Sequence, residues 1–140
     1  MKKILLILLG VVLMSCFSSV SIAAVCNQGE GDFTASFSVF PESLCIGGLA
    51  TFTADIANTG TCTDRYQIIT GIQLPNGRLI ELMSRTLMTF APGESVSISI
   101  TKIIPNLVPP GNYTAGIKVT SIHGGIVKLI PVSITIDLCP

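Results

Sequence analysis

From residue 33 onward the chain alternates apolar and polar positions with a period of two, the pattern of strands with one buried face. Phe33, Ala35, Phe37 and Val39 alternate with Thr34, Ser36 and Ser38, and Phe52, Ala54 and Ile56 alternate with Thr51, Thr53 and Asp55. Tyr66, Ile68, Ile72 and Leu74 share a face in the next run, and Leu79 to Met83 resumes an extended pattern after Pro75-Asn76-Gly77. An Asn-Gly pair between two such runs predicts a hairpin, because both residues tolerate positive φ. Ala91-Pro92-Gly93-Glu94 then turns the chain into Val96, Ile98 and Ile100, spaced by Ser95, Ser97 and Ser99. Pro109-Pro110-Gly111 turns it into Tyr113, Ala115, Ile117 and Val119, and Gly124-Gly125 makes the last tight turn. The final run places Ile126, Ile130, Val132, Ile134, Ile136 and Leu138 on one face. Pro131 within it has no N–H to give to a ladder, so this strand is predicted at a sheet edge or with a bulge there. No helical period extends over a useful length. The expectation is an all-β, seven-stranded antiparallel sandwich.

The first 24 residues follow a different pattern. Met1-Lys2-Lys3 is basic, Ile4 to Met14 is apolar except for Gly10, and Ser21-Ile22-Ala23-Ala24 supplies small residues. This predicts a secretory signal peptide over residues 1–24, cleaved after Ala23 or Ala24, and a mature domain over residues 25–140 that is secreted or periplasmic. The apolar run is too short and too N-terminal to favour a permanent membrane span, so no integral span is expected in the mature chain. Leu13-Met14-Ser15-Cys16 offers an alternative, a degenerate lipobox with a lipid anchor on Cys16. Met14 fits that motif poorly, and Phe17 to Ala24 stays apolar where a lipoprotein usually turns polar.

Without the leader roughly 116 residues remain, enough for one domain with one core. Losing Lys2 and Lys3 leaves six basic against eight acidic residues, a net charge of −2. That balance carries no electrostatic footprint for nucleic acid or an anionic membrane. Ser and Thr fill the polar positions instead, and Thr suits the outward face of a strand.

Three turn motifs in order, Asn58-Thr59-Gly60, Ala91-Pro92-Gly93-Glu94 and Pro110-Gly111-Asn112-Tyr113, form a recognisable series. In them the chain resembles the bacterial extracellular immunoglobulin-like modules of the CARDB (cell-adhesion-related) type and their fibronectin-III-like relatives. Leu107, six residues before Tyr113, is similar to the tyrosine-corner pattern, in which the Tyr hydroxyl bonds back to the chain near the turn. The resemblance spans roughly Phe33 to Leu138 and implies an immunoglobulin-like sandwich that acts in adhesion. The cysteines depart from it, because such modules commonly have none.

Four cysteines lie beyond the leader, and four allow three pairings. The predicted strands alternate in direction between two ends of the sandwich. Cys26 precedes the first strand and Cys62 follows the second, at one end; Cys45 follows the first strand and Cys139 the last, at the other. Bridged Cα atoms lie within about 7 Å, so links across the long axis are excluded and the expected pairs are Cys26–Cys62 and Cys45–Cys139. No Cys-x-x-Cys spacing exists and the one histidine is distant in sequence, so no metal, cofactor or redox role is expected of them.

Catalytic signatures are equally sparse. His123 is the only histidine and sits in a turn, and no Gly-x-Ser-x-Gly elbow is present. Glu30, Asp32 and Asp64 could converge near one end, but without an EF-hand spacing they suggest solvated loop charges rather than a calcium site. Asn112-Tyr113-Thr114 is a formal glycosylation sequon that suits turn-to-strand chemistry here. The candidate recognition surface is the end of the sandwich where residues 58–65, 84–90 and 121–125 are expected as clustered loops. Asp64, Arg65, Arg85 and His123 are its candidate binding residues. Leu87, Met88 and Phe90 suit core or a short extra strand better than a contact patch. The function these features suggest is a non-enzymatic binding module for a protein or carbohydrate at the cell surface. The alternative is a subunit of a surface filament built by strand exchange.

Overall fold

The computed structural model describes residues 22–140. Cys16 and nearly all of the expected leader lie outside the described residues. Eight strands follow in order: β1 (Phe33–Phe40), β2 (Ser43–Cys45), β3 (Leu49–Asn58), β4 (Asp64–Gln73), β5 (Leu79–Phe90), β6 (Ser95–Ile103), β7 (Gly111–Ser121) and β8 (Val127–Asp137). They form a three-stranded sheet, β1-β3-β6, and a five-stranded sheet, β2-β8-β7-β4-β5. Every pairing between these strands is antiparallel except the short parallel contact of β2 with β8, and an isolated parallel bridge joins Val25 to Thr63.

The alternating pattern explains the layers. Phe33, Phe37 and Val39 of β1 and Phe52, Ala54 and Ile56 of β3 turn inward, as do Tyr66, Ile68 and Ile72 of β4 and Ala115, Ile117 and Val119 of β7. All join one cluster between the sheets, where each large apolar side chain contributes about 1.5–3 kcal/mol by leaving water. Phe33 meets Tyr66 across the layers with ring centroids 5.1 Å apart, and Tyr66 meets Phe90 at 6.0 Å. Burial pushes the Tyr66 hydroxyl up to about 12, helped by the charges of Asp64 and Asp32.

Three expectations change. The sandwich has eight strands rather than seven, because Ser43–Cys45 adds a strand against Thr135–Asp137 that is too short to show a period. Ser84 to Phe90 is not a loop: β5 runs unbroken from Leu79 to Phe90. Its twelve residues oppose ten of β4, and register shifts at Arg65/Gln67 and Thr70/Gly71 take up the excess. Leu138 falls beyond the end of β8 and is exposed, not on the core face.

Other turn and edge signals hold locally. The chain reverses at Pro75–Gly77, with Leu74 N–H donating to Arg78 O at 2.8 Å; of the Asn-Gly pair only Gly77 takes positive φ, +82°. β8 pairs with β7 along its length, whereas β2 covers it only at Thr135–Asp137. Pro131 therefore lies where β8 is an edge, the position in which a missing N–H costs no ladder bond. Tyr113 donates its hydroxyl to Pro109 O at 2.5 Å, closing the corner, while Leu107 is 94% exposed and takes no part. Disulfides join Cys26 to Cys62, with Cα atoms 5.0 Å apart, and Cys45 to Cys139, at 5.3 Å. One bridge sits at each end of the fold.

Candidate functional site

At the Cys26–Cys62 end four segments meet: residues 26–32, 59–63, 91–94 and 122–126. Main-chain bonds stitch them together. Gly29 N–H donates to Gly124 O at 2.7 Å, Gly60 N–H to Asp32 O at 3.0 Å, Asn58 N–H to Glu94 O at 2.9 Å and Cys26 N–H to Thr63 O at 2.8 Å.

Two buried polar side chains hold these loops from within. Asp64, the first residue of β4, is only 2% exposed. Its carboxylate accepts from Ser121 Oγ at 2.5 Å, His123 N–H at 2.9 Å, Gly124 N–H at 3.0 Å and Arg65 N–H at 2.7 Å. Burial alone would raise its pKa, but the hydrogen bonds, that of Ser121 foremost, outweigh burial and hold the carboxyl below its ordinary value. Asn58 is equally buried. Its Nδ2 donates to Cys62 O at 2.9 Å and Phe90 O at 3.0 Å, and its Oδ1 accepts from Gly60 N–H at 3.0 Å. Glycine is required where the segments touch: a Cβ on Gly124 would meet Glu30 O and the Ser121 hydroxyl.

A third tie lies at the rim. Lys128 Nζ pairs with Asp32 at 2.9 Å, bonds Phe33 O and stands 4.7 Å above the Phe33 ring. The Asp32 carboxyl is held below its ordinary value first by the Lys128 hydrogen bond, then by Phe33 N–H and the Lys128 charge.

The four candidate binding residues therefore separate. Asp64 is the internal anchor of the loop end and presents no free oxygen face. Arg65 and His123 are exposed beside it. Arg85 is also exposed but stands within β5 opposite Ile68, away from the loop end, because β5 does not stop at Met83. Ser, His and Asp meet at this end, yet His123 contributes its main-chain N–H rather than its imidazole, so the contact is a loop anchor in form. Asn58 carries as much of the frame as Asp64, and its signal was the Asn-Thr-Gly turn after an apolar strand. Among the described residues no group of three or more His, Cys, Asp or Glu is placed to hold a metal ion. No helix there is long and apolar enough to cross a membrane.

Two shallow depressions lie outside this end. One of about 270 Å³ sits on the outer face of the three-stranded sheet, among Thr34, Ser36, Asp55, Ser95 and Ser97. The other, about 470 Å³, lies among Glu42, Asn112, Thr114, Ser133 and Thr135.

This arrangement of two sheets has the fold of a CARDB-type β module. The CARDB domain of a Pyrococcus furiosus protein, solved in complex with di-metal ions, matches 81% of this chain and 95% of its own, with a TM-score of 0.60 and 14% identity. Spo0M, a sporulation control protein from Bacillus subtilis, is similar over 79% of this chain and 51% of its own, with a TM-score of 0.57 and 16% identity. A β-glucosidase from Listeria innocua is similar over 76% of this chain but only 16% of its own, with a TM-score of 0.55 and 13% identity. No family model matches the sequence, and no curated protein matches it.

Proposed function

We propose that this chain is an exported, non-enzymatic immunoglobulin-like module that binds a protein or carbohydrate at the bacterial cell envelope. The observation that carries the reading is the loop end. Four segments are fixed by a disulfide and two buried polar anchors, while Arg65 and His123 stand free on the outside. Loops held this rigidly lose little entropy on binding, which favours recognition. The Listeria β-glucosidase and Spo0M carry the similar unit as part of a longer chain, which supports a role as an accessory domain. Two disulfides also suit the oxidising space outside the cytoplasm.

The test is retention of the oxidised protein on cell-wall polysaccharide and on envelope protein fractions, beside an Arg65→Ala/His123→Ala variant. Binding that the double variant loses supports the reading; binding that the variant leaves unchanged removes the loop end from it. Mass analysis of the mature N-terminus separates cleavage after Ala23 or Ala24 from lipidation of Cys16. A filament subunit is the second reading, and the free edge of β6 favours it. Against it, the chain supplies all eight strands itself, whereas subunits joined by donor strands lack one.

A further inference from the structure

The free strand edges of this fold are not treated alike. β5 carries Glu81 and Arg85 on its edge, and two register shifts interrupt its pairing. β8 has Pro131 and Lys128, and its end is covered by β2. β1 lies beside β8, where Lys128 takes Phe33 O. Charges, prolines, bulges and covering segments are the devices that keep an edge from pairing with another chain. β6 has only one of them, the charge of Lys102 beside its last residue, and no proline, bulge or covering segment. It pairs with β3 alone, in unshifted register from Ser95 to Ile103, and among the described residues nothing else bonds to it. Ser95 to Thr101 is seven residues without charge, proline or glycine.

The occupant that fits this edge is written in its own sequence. Glu94-Ser95-Val96-Ser97-Ile98-Ser99-Ile100-Thr101-Lys102 is self-complementary when two copies run antiparallel about Ile98. Ser95 then faces Thr101, Val96 faces Ile100, Ser97 faces Ser99, and Ile98 faces its own copy. Hydroxyl meets hydroxyl on the outer face and apolar meets apolar on the inner one, as a shared pleat demands. Lys102 of each copy falls opposite Glu94 of the other, so opposite charges close both ends. Slipping the register by two residues in either direction loses both charge pairs. Slipping it by one puts Val96 and the isoleucines opposite hydroxyls.

We infer that β6 is a homodimerisation edge, joining two copies by antiparallel β6–β6 pairing into one continuous six-stranded sheet. The contact is isologous, the same residues serving both copies, so it closes at two and does not propagate. It is independent of whatever the loop end binds.

The experiment is sedimentation of the oxidised chain, expressed with its leader, over a wide concentration range. It compares wild type, Lys102→Glu, and the double exchange Glu94→Lys/Lys102→Glu. Lys102 is exposed, whereas the Glu94 carboxylate also accepts Ala91 N–H at 2.8 Å within its own turn, so circular dichroism and melting are run to check that each variant folds. Wild type is expected as a monomer–dimer equilibrium. Lys102→Glu, which sets Glu against Glu at both ends, is expected to weaken dimerisation about tenfold or more at low salt. The double exchange restores opposite charges and should recover the dimer. Amide exchange supplies a second readout, with protection of β6 rising as protein concentration rises. A monomer at every concentration overturns the inference. So does a dimer indifferent to Lys102→Glu or not recovered by the double exchange, and so do open-ended assemblies.

Discussion

Replacing Asp64 by alanine should cost more than any other single exchange of a charged residue in this chain. Four donors converge on its carboxylate, from Ser121, His123, Gly124 and Arg65. After truncation Gly124 N–H keeps Ser121 Oγ at 3.1 Å, and the N–H of exposed Arg65 can turn to water. The Ser121 hydroxyl loses its acceptor where water is excluded, whereas the N–H of exposed His123 loses a charged acceptor but can reach water. At about 1–3 kcal/mol for the stranded hydroxyl and about 1 kcal/mol for the lost His123 bond, the loss is about 2–4 kcal/mol. The pH dependence supplies a second, sharper signature. The folded carboxyl titrates below its ordinary 3.8, so the unfolded chain binds the proton first. The stabilisation is thus complete above that value and is lost as pH falls through the lower, folded one. Urea unfolding at neutral pH, repeated down an acid series, measures both quantities. Asp64→Ala should be destabilised by the stated amount at neutral pH and should converge on wild type in acid. A variant within about 0.5 kcal/mol of wild type at neutral pH, the range of ordinary surface exchanges, would refute the anchoring role. An unchanged gap down the acid series would refute the ionised state.

Three further outcomes follow from the same frame. Tyr113→Phe removes the hydroxyl given to Pro109 O and should cost about 1 kcal/mol, read as a lower urea midpoint with an unchanged slope. Replacing Cys45 and Cys139 together opens a loop of 94 residues, for which chain entropy gives about 4.7 kcal/mol as an upper figure. Replacing Cys26 and Cys62 opens one of 36, about 4 kcal/mol, so the first pair should lower stability more; the reverse order would place native-state packing above chain entropy. Gly124→Ala drives a Cβ into the carbonyl of Glu30 and should cost about 1–3 kcal/mol by thermal melting, because main chain rather than a flexible tip must yield.

Where a strand has one buried face and an unshifted partner, its residues show it, and β1, β3, β6 and β7 stand where alternation places them. β5 breaks that rule for a physical reason. Register shifts in its pairing with β4 displace the alternation, so Leu82-Met83 and Leu87-Met88 form doublets that resemble a strand ending and a loop beginning. β2 is legible only from β8, which lies more than ninety residues away. The same distance hides the loop anchors. Asp64 looks like any loop carboxylate until Ser121 and Gly124, 57 and 60 residues on, are brought against it. The cysteine pairs needed only the direction of each strand, which turn spacing fixes.

The edge of β6 shows why the order of strands matters more for function here than the strands themselves. Its alternation is as regular as that of β3, yet β3 is central in its sheet and β6 is not. In a chain with so few charges, the guarding residues are concentrated on β5 and β8, and an edge with seven successive uncharged residues is a choice between aggregation and a defined partner. Glu94 and Lys102 decide between them, because random edge pairing gains nothing from opposite charges set eight residues apart. The dimer also changes what the molecule presents. Ser97 lies beside Asp55 in the β3–β6 register and beside Ser99 of the other copy across the new seam. With strands about 4.8 Å apart, the two Asp55 carboxylates stand roughly 15 Å from each other on one face. Each sits in its own depression among Thr34, Ser36, Ser95 and Ser97. The two-fold axis of that pairing stands perpendicular to the sheet, so both depressions open on the same face at a fixed spacing.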